Sequence, residues 1–168
     1  MKGYLSIVSK LIQIYTDGSA KGNPGPGGYG IVMRFGNIEK EISQGYRLTT
    51  NNRMELLAVI VALESLKTNK HEIHLYSDSK YVIDSITKGW VFNWQKTGFK
   101  KKKNVDLWRR YLGLHGNFKI QYHWIKGHAG HPENERCDTL AVEAADNHSD
   151  HLVDQVFEEN QEGENTLL

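Results

Sequence analysis

The sequence is poor in cysteine. Cys137 is the only one among 168 residues, so no intrachain disulfide can form and a cysteine-rich zinc module is excluded. A reducing, cytoplasmic setting follows as the expectation. Long apolar runs are also missing: none approaches the ~20 residues of a membrane span, and no membrane association is expected. Residues 1–10 hold only short apolar pieces broken by Ser6, Ser9 and Lys10, which does not build a signal-peptide core. The last 22 residues contain no lysine or arginine, yet carry six acids: Asp150, Asp154, Glu158, Glu159, Glu162 and Glu164.

That final absence unmasks a polarity hidden by the net charge of +1. Residues 1–146 hold all 21 basic side chains against 14 acidic ones, an excess of +7. The excess is densest in 88–110, where eight Lys or Arg face the single acid Asp106. Such clustering suits a polyanion, although a solvated lysine-rich loop is the alternative for an isolated run.

The chain length fits one α/β domain with a tail. Leu11 to Asp17 alternates like a strand, and after a glycine-rich turn the stretches 31–35 and 38–46 flank Gly36-Asn37, a hairpin dipeptide. Thr50, Asn51 and Asn52 offer caps to a helix over 53–67. Residues 73–78 form the next strand, and strand, helix, strand implies a right-handed parallel crossover. Helices follow over 79–88, 90–95 and, capped by Asn104, around Leu107 to Leu112. Phe118 to Trp124 alternates as a last strand before a helix with Leu140, Ala141 and Ala144 inward. Residues 147–168 read as a flexible acidic tail, unless Leu152, Val153, Val156 and Phe157 dock as one helical stripe.

Two aspartates end apolar strands in matched settings, Ile14-Tyr15-Thr16-Asp17 and Leu75-Tyr76-Ser77-Asp78. On adjacent parallel strands ~4.8 Å apart, both carboxylates would sit at the carboxyl edge, where open α/β sheets bind ligands. Their mutual repulsion calls for a cation. Each aspartate alone could equally be a turn or cap residue. Glu55, three residues after Asn52, could complete a capping box, and Asp138 could simply favour a helix dipole. Taken together, the four offer hard oxygen donors suited to Mg²⁺ or Mn²⁺. His123, His128, His131 and Cys137 form a rival zinc cluster without the usual paired spacing. His128 in Gly127-His128-Ala129-Gly130 can serve as a proton shuttle or stand as a surface histidine. GNPGPGGYG at 22–30 lacks the ending of a nucleotide-binding loop, and its glycines are expected to admit a ligand's sugar edge.

The blocks YTDGSAKGNPGPGGYG at 15–30, TTNNRMELLA at 49–58, YSDSKYV at 76–82, NVDLW at 104–108 and WIKGHAGHPENERCD at 124–138 resemble the bacterial-type (type 1) ribonuclease H family. The resemblance runs from about residue 11 to 146, leaving residues 1–10 as an N-terminal extension. It implies a ribonuclease H-like α/β fold: a five-stranded mixed sheet, order 3-2-1-4-5, with helices on both faces. It further implies endonucleolytic hydrolysis of the RNA strand of RNA–DNA hybrids by a two-metal-ion mechanism, leaving 5′-phosphate and 3′-hydroxyl ends.

On the matching positions Asp17, Glu55, Asp78 and Asp138 would hold two Mg²⁺ ions, with Mn²⁺ as a substitute, and His128 would assist proton transfer. Gly18, Asn23, Asn51 and Lys80 occupy positions that contact the minor-groove edge, where 2′-hydroxyls mark RNA. Lys80 departs from the glutamine expected there. Thr50 and Asn93 match a DNA phosphate pocket and Trp90 a platform for deoxyribose. Lys100, Lys101, Lys102 and Lys103 lie in a somewhat shortened basic protrusion interleaved with Trp90, Phe92, Trp94 and Phe99. The partner implied is the hybrid alone, met by a monomer. Integrases and junction resolvases share the fold, but the Asn51-Asn52 pair and the loop from Lys126 to Asp138 argue against them.

Overall fold

A computed structural model describes residues 11–166; the N-terminal extension at 1–10 lies outside the described residues. Three antiparallel strands lead the chain: β1 (Ile12–Ala20), β2 (Gly25–Phe35) and β3 (Ile38–Thr49). Phe35 pairs with Ile38 across Gly36-Asn37, and Gly36 takes the positive φ of 59° that this tight turn requires. Helix α1 (Asn51–Glu64) then crosses to β4 (Ile73–Ser77), parallel to β1. Helices α2 (Lys80–Thr87), α3 (Trp90–Lys96) and α4 (Val105–His115) precede β5 (Ile120–Trp124), parallel to β4. The sheet order is β3-β2-β1-β4-β5, as expected, and α5 (Pro132–Asp146) closes its second face.

Strand alternation divides the core. Ile12 and Ile14 of β1 face α1, whose residues from Arg53 to Ile60 are all buried because the helix is pressed between the sheet and α4. A helix apolar on every side is stable only in such a sandwich. Val32, Cys137 and Leu140, flanked by Tyr15, form a smaller cluster under α5. Among the described residues no helix is long and apolar enough to cross a membrane.

The glycine-rich stretch differs from its sequence reading. Rather than a turn opened for a ligand, residues 25–30 are the first half of β2; Gly28 and Gly30 admit α5, while Gly25 and Gly27 lie against the backbone of Lys21 and Ser19. A Cβ at Gly30 would lie 2.2 Å from the carbonyl oxygen of Cys137, and one at Gly45 of β3 would lie 2.1 Å from that of Ala144. Gly30→Ala is therefore expected to cost about 1–3 kcal/mol by overpacking, read as a lower urea midpoint.

Of the two capping expectations, the first is narrowed to one of its three residues and the second is corrected. Thr50, not Asn51 or Asn52, caps α1, its hydroxyl accepting from the Arg53 N–H at 3.2 Å. Asn104 takes a left-handed conformation at the start of α4 without capping it; its amide instead donates to the Tyr81 hydroxyl.

The acidic C-terminal segment is packed against the domain, contrary to the flexible tail expected. Leu152 pairs with β3, donating to the Gly45 carbonyl at 2.9 Å and accepting from Arg47 at 3.0 Å. Asp154 is buried and accepts from Thr49 Oγ1 at 2.8 Å and from Arg53 Nε at 2.7 Å and Nη2 at 2.9 Å. A further helix, α6 (Gln155–Thr166), follows. The apolar stripe is not what docks it: Leu152, Val153 and Val156 are exposed and only Phe157 tucks in, beneath the Arg53 guanidinium. Charge does the docking because Arg53, 3% exposed, needs a second carboxylate beside Asp106.

Candidate active site

Asp17 sits inside β1 opposite Gly30, Asp78 follows the end of β4, and Glu55 comes from the second turn of α1. The three elements bring one carboxylate oxygen from each to within 4.8 Å of one another. The parallel pairing of β1 and β4 delivers the aspartates. Glu55 arrives because Gly18 has no side chain, since a Cβ there would stand 2.3 Å from the Glu55 nitrogen.

The cap alternatives fail one by one. With Thr50 as N-cap, Glu55 falls beyond the capping-box position. The cap of α2 is Ser79, whose hydroxyl accepts from Val82 at 3.2 Å, leaving Asp78 free of that duty. Asp138 lies in the second turn of α5, behind the first-turn acids Glu133 and Glu135. It stands outside the group of three, yet near enough for its charge to raise the Asp17 pKa.

The electrostatics are those of a site built for a cation. Burial first, then the Asp78 charge, pushes Asp17 up to about 7. Burial, followed by Asp17 and Asp78, drives Glu55 well above the ordinary carboxylate range. Glu55 Oε2 is buried without a hydrogen-bond partner, an orphaned acceptor of the kind a hard cation satisfies. The donor set, all oxygen, fits a divalent metal. The rival zinc cluster is not assembled: Cys137 is buried with Sγ 3.2 Å from the Tyr15 carbonyl oxygen, and burial pushes its thiol pKa up. His123 instead stacks on Tyr76 and shares a hydrogen bond with His74 at 3.0 Å.

A pH dependence follows. Unfolded Asp17 ionises near 3.8, whereas in the metal-free fold it keeps its proton up to about 7. Between these values the native state binds more protons at this group, so the contribution of Asp17 to stability is greatest below pH 4 and is lost as pH rises through 7. The loss is on the order of a few kcal/mol. Urea unfolding at pH 4.5 and 7.5 measures it; Asp17→Asn should flatten the slope, and added Mg²⁺ should offset the loss at the higher pH.

The remaining expected residues divide into two regions. His128 is exposed, with φ 54°, one residue after Gly127, which is pressed against the Asp78 carboxylate. Asn23 Oδ1 accepts from the Asn51 N–H at 3.2 Å, joining two of the expected contact residues. Lys80 lies over the Trp124 ring at 4.9 Å. Asn23, Thr50, Asn52, Lys102 and Lys103 line one groove of about 640 Å³. Trp90 and Asn93 lie outside that lining, on α3, and Lys100 and Lys101 are exposed beyond it. Of the interleaved aromatics only Trp90 is exposed. Phe99 is buried, and Trp94 and Phe92 pack inward against Trp108 and His115.

Two residues escaped the sequence reading. Asn134, 3% exposed and one turn before Asp138, directs its amide towards Asp78 Oδ2 at 3.5 Å. Its four-residue spacing from Asp138 was the available signal. The other is Arg53, whose place inside an apolar helix run already demanded acidic partners.

The RNase H family model matches residues 9–146. Ribonuclease H of Klebsiella pneumoniae subsp. pneumoniae is 60% identical over 141 residues, covering 81% of this chain and 90% of the relative. Among solved structures, LC9-RNase H1, a type 1 RNase H with the type 2 active-site motif, superposes with a TM-score of 0.73 at 31% identity, covering 83% of this chain and 74% of that one. LC11-RNase H1, solved in complex with an RNA/DNA hybrid, gives a TM-score of 0.60 at 28% identity over 80% of this chain and 96% of that one. With the fold, the carboxylate cluster and these relatives in agreement, the chain belongs to the RNase H family of ribonucleases, in its bacterial type 1 form.

Proposed function

We propose that the chain is an endonuclease that hydrolyses the RNA strand of RNA–DNA hybrids with two Mg²⁺ ions, leaving 5′-phosphate and 3′-hydroxyl ends. The observation that carries this reading is the buried trio Asp17, Glu55 and Asp78 with the unpartnered Glu55 oxygen. The LC11 relative bound to a hybrid supports the substrate class.

In this reading Asp17, Glu55, Asp78 and Asp138 hold the divalent ions, and Mn²⁺ can substitute because the donors are hard oxygens. When bound, the ions neutralise the phosphodiester and ease ionisation of the attacking water. Asn134 steadies the Asp78 carboxylate. His128, on its exposed loop, takes and returns a proton at its imidazole while product leaves. Gly18, Asn23, Asn51 and Lys80 read the RNA strand through its 2′-hydroxyls. Thr50 and Asn93 grip a DNA phosphate, Trp90 supports deoxyribose, and Lys100 to Lys103 attract the backbone in a salt-dependent way. The enzyme works as a cytoplasmic monomer on this substrate.

The test is hydrolysis of a uniformly labelled hybrid with and without Mg²⁺, alongside RNA and DNA duplexes. The wild type should cut the hybrid alone and only with the ion, and Asp78→Asn should be inactive. Equal rates for the two proteins, or preferential cutting of the DNA duplex, would overturn the reading.

A further inference from the structure

The acidic C-terminal helix has no part in the chemistry proposed above, yet its position is defined. Asp154 is clamped by Arg53 and Thr49, and Glu158 accepts from Arg47 Nε at 3.0 and 3.1 Å. These contacts lay α6 along the 640 Å³ groove. Phe157, Asn160 and Glu164 form one wall, and Lys102, Lys103 and Arg109 stand in the same groove with Thr50 and Asn23. Among the described residues, hydrogen bonds and ion pairs from α6 to the rest of the fold are confined to Glu158. No residue of α6 is buried, and Glu159, Glu162 and Glu164 are exposed. The helix is thus fixed at its first turn and free of further ion pairs beyond it; Glu164 is the acid of α6 that lines the groove, facing Lys102, Lys103 and Arg109 there, while Glu159 and Glu162 add their charge from outside the lining.

We propose that α6 is an intramolecular electrostatic screen: its carboxylates compete with the phosphates of the DNA strand for Lys102, Lys103 and Arg109. The inference rests on the hybrid-binding reading for its physiological ligand. A screened groove binds any polyanion less tightly, so only a backbone also held at the minor-groove and phosphate-pocket contacts displaces the helix. The effect is electrostatic and weakens once the Debye length falls below about 10 Å, near 0.1 M salt. At low salt it raises the discrimination between a well-seated hybrid and a loosely bound single strand.

The test measures affinity for a non-cleavable hybrid and for a DNA single strand without divalent ions, at about 50 mM and about 500 mM salt. The full-length E162Q/E164Q variant is compared with the wild type and with E135Q/E143Q, which removes two exposed charges from α5 instead. E162Q/E164Q should bind both ligands about three- to tenfold more tightly at low salt, more so for the single strand, and converge on the wild type at high salt. The α5 variant should change little. Equal tightening by both variants would reduce the effect to net charge, and no tightening by E162Q/E164Q would remove it; either overturns the screen. Hybrid cleavage by the wild type with Mg²⁺ reads the functional proposal separately. Absent cleavage would refute that function, while the single-strand affinities would still decide the screen.

Discussion

Asp17→Asn is expected to lower hybrid cleavage by at least about a thousandfold, or roughly 4 kcal/mol in activation free energy, while making the metal-free protein more stable. Both effects come from one carboxylate. Asp17 is 5% exposed, shares a space within 4.8 Å with Glu55 and Asp78, and is pushed up to about 7 by burial and by Asp78. An amide keeps the size and the oxygen that accepts from the Gly18 N–H at 2.9 Å. It removes the charge that a divalent ion needs and that the empty fold must otherwise protonate. The paired measurement is cleavage rate with Mg²⁺ and urea midpoint without it, at pH 7.5. A variant with wild-type cleavage, or an inactive variant that is also less stable, would refute the account, the second because it would make Asp17 a structural residue.

Arg53→Met is expected to destabilise the fold by about 3–5 kcal/mol. Burial works against the Arg53 charge, but Asp106 and Asp154, each bonded to two guanidinium nitrogens, hold its pKa above the ordinary arginine value. Removing the cation leaves Asp154 buried with only the Thr49 hydroxyl and frees the C-terminal segment from α1. Replacing all three, Arg53→Met with Asp106→Leu and Asp154→Leu, should recover most of the loss, because the penalty lies in the unpaired carboxylates. Urea unfolding reads the stability, and limited proteolysis between 147 and 166 reads the docking. A triple variant as unstable as the single one would show that Arg53 acts by packing alone.

Much of the architecture was legible. The Gly36-Asn37 hairpin, the crossover through α1 and the alternation in β1, β4 and β5 follow from periodicities of two and 3.6 that depend on local residues. The glycines at 25–30 misled because sequence shows where a side chain is missing and not what fills the space. At Gly28 and Gly30 α5 fills it, through the backbone of Ala141 and Cys137. Phe99, interleaved with the lysines of the basic protrusion in the sequence, is separated from them by the fold: the turn at Gly98 and Phe99 points the ring into the core. The C-terminal segment was misread because its composition is acidic and its apolar stripe weak. What docks it is a buried arginine about 100 residues earlier in the chain.

The sequence by itself determined the chemistry available: oxygen donors without clustered cysteine, two aspartates that follow matched apolar runs, a basic stretch in 88–110 and family-specific blocks spanning 11–146. Tertiary structure decided which of these residues act together. Each of the four carboxylates could serve as a cap or turn residue while only its neighbours in the chain were considered. Thr50 and Ser79 fill the cap positions of α1 and α2, and Gly18 lets Glu55 approach Asp17. The reason is one of range. Capping and periodicity act over four residues or fewer, whereas the repulsion that raises Asp17 and Glu55, and so makes the site one for a cation, arises between groups brought together only by folding.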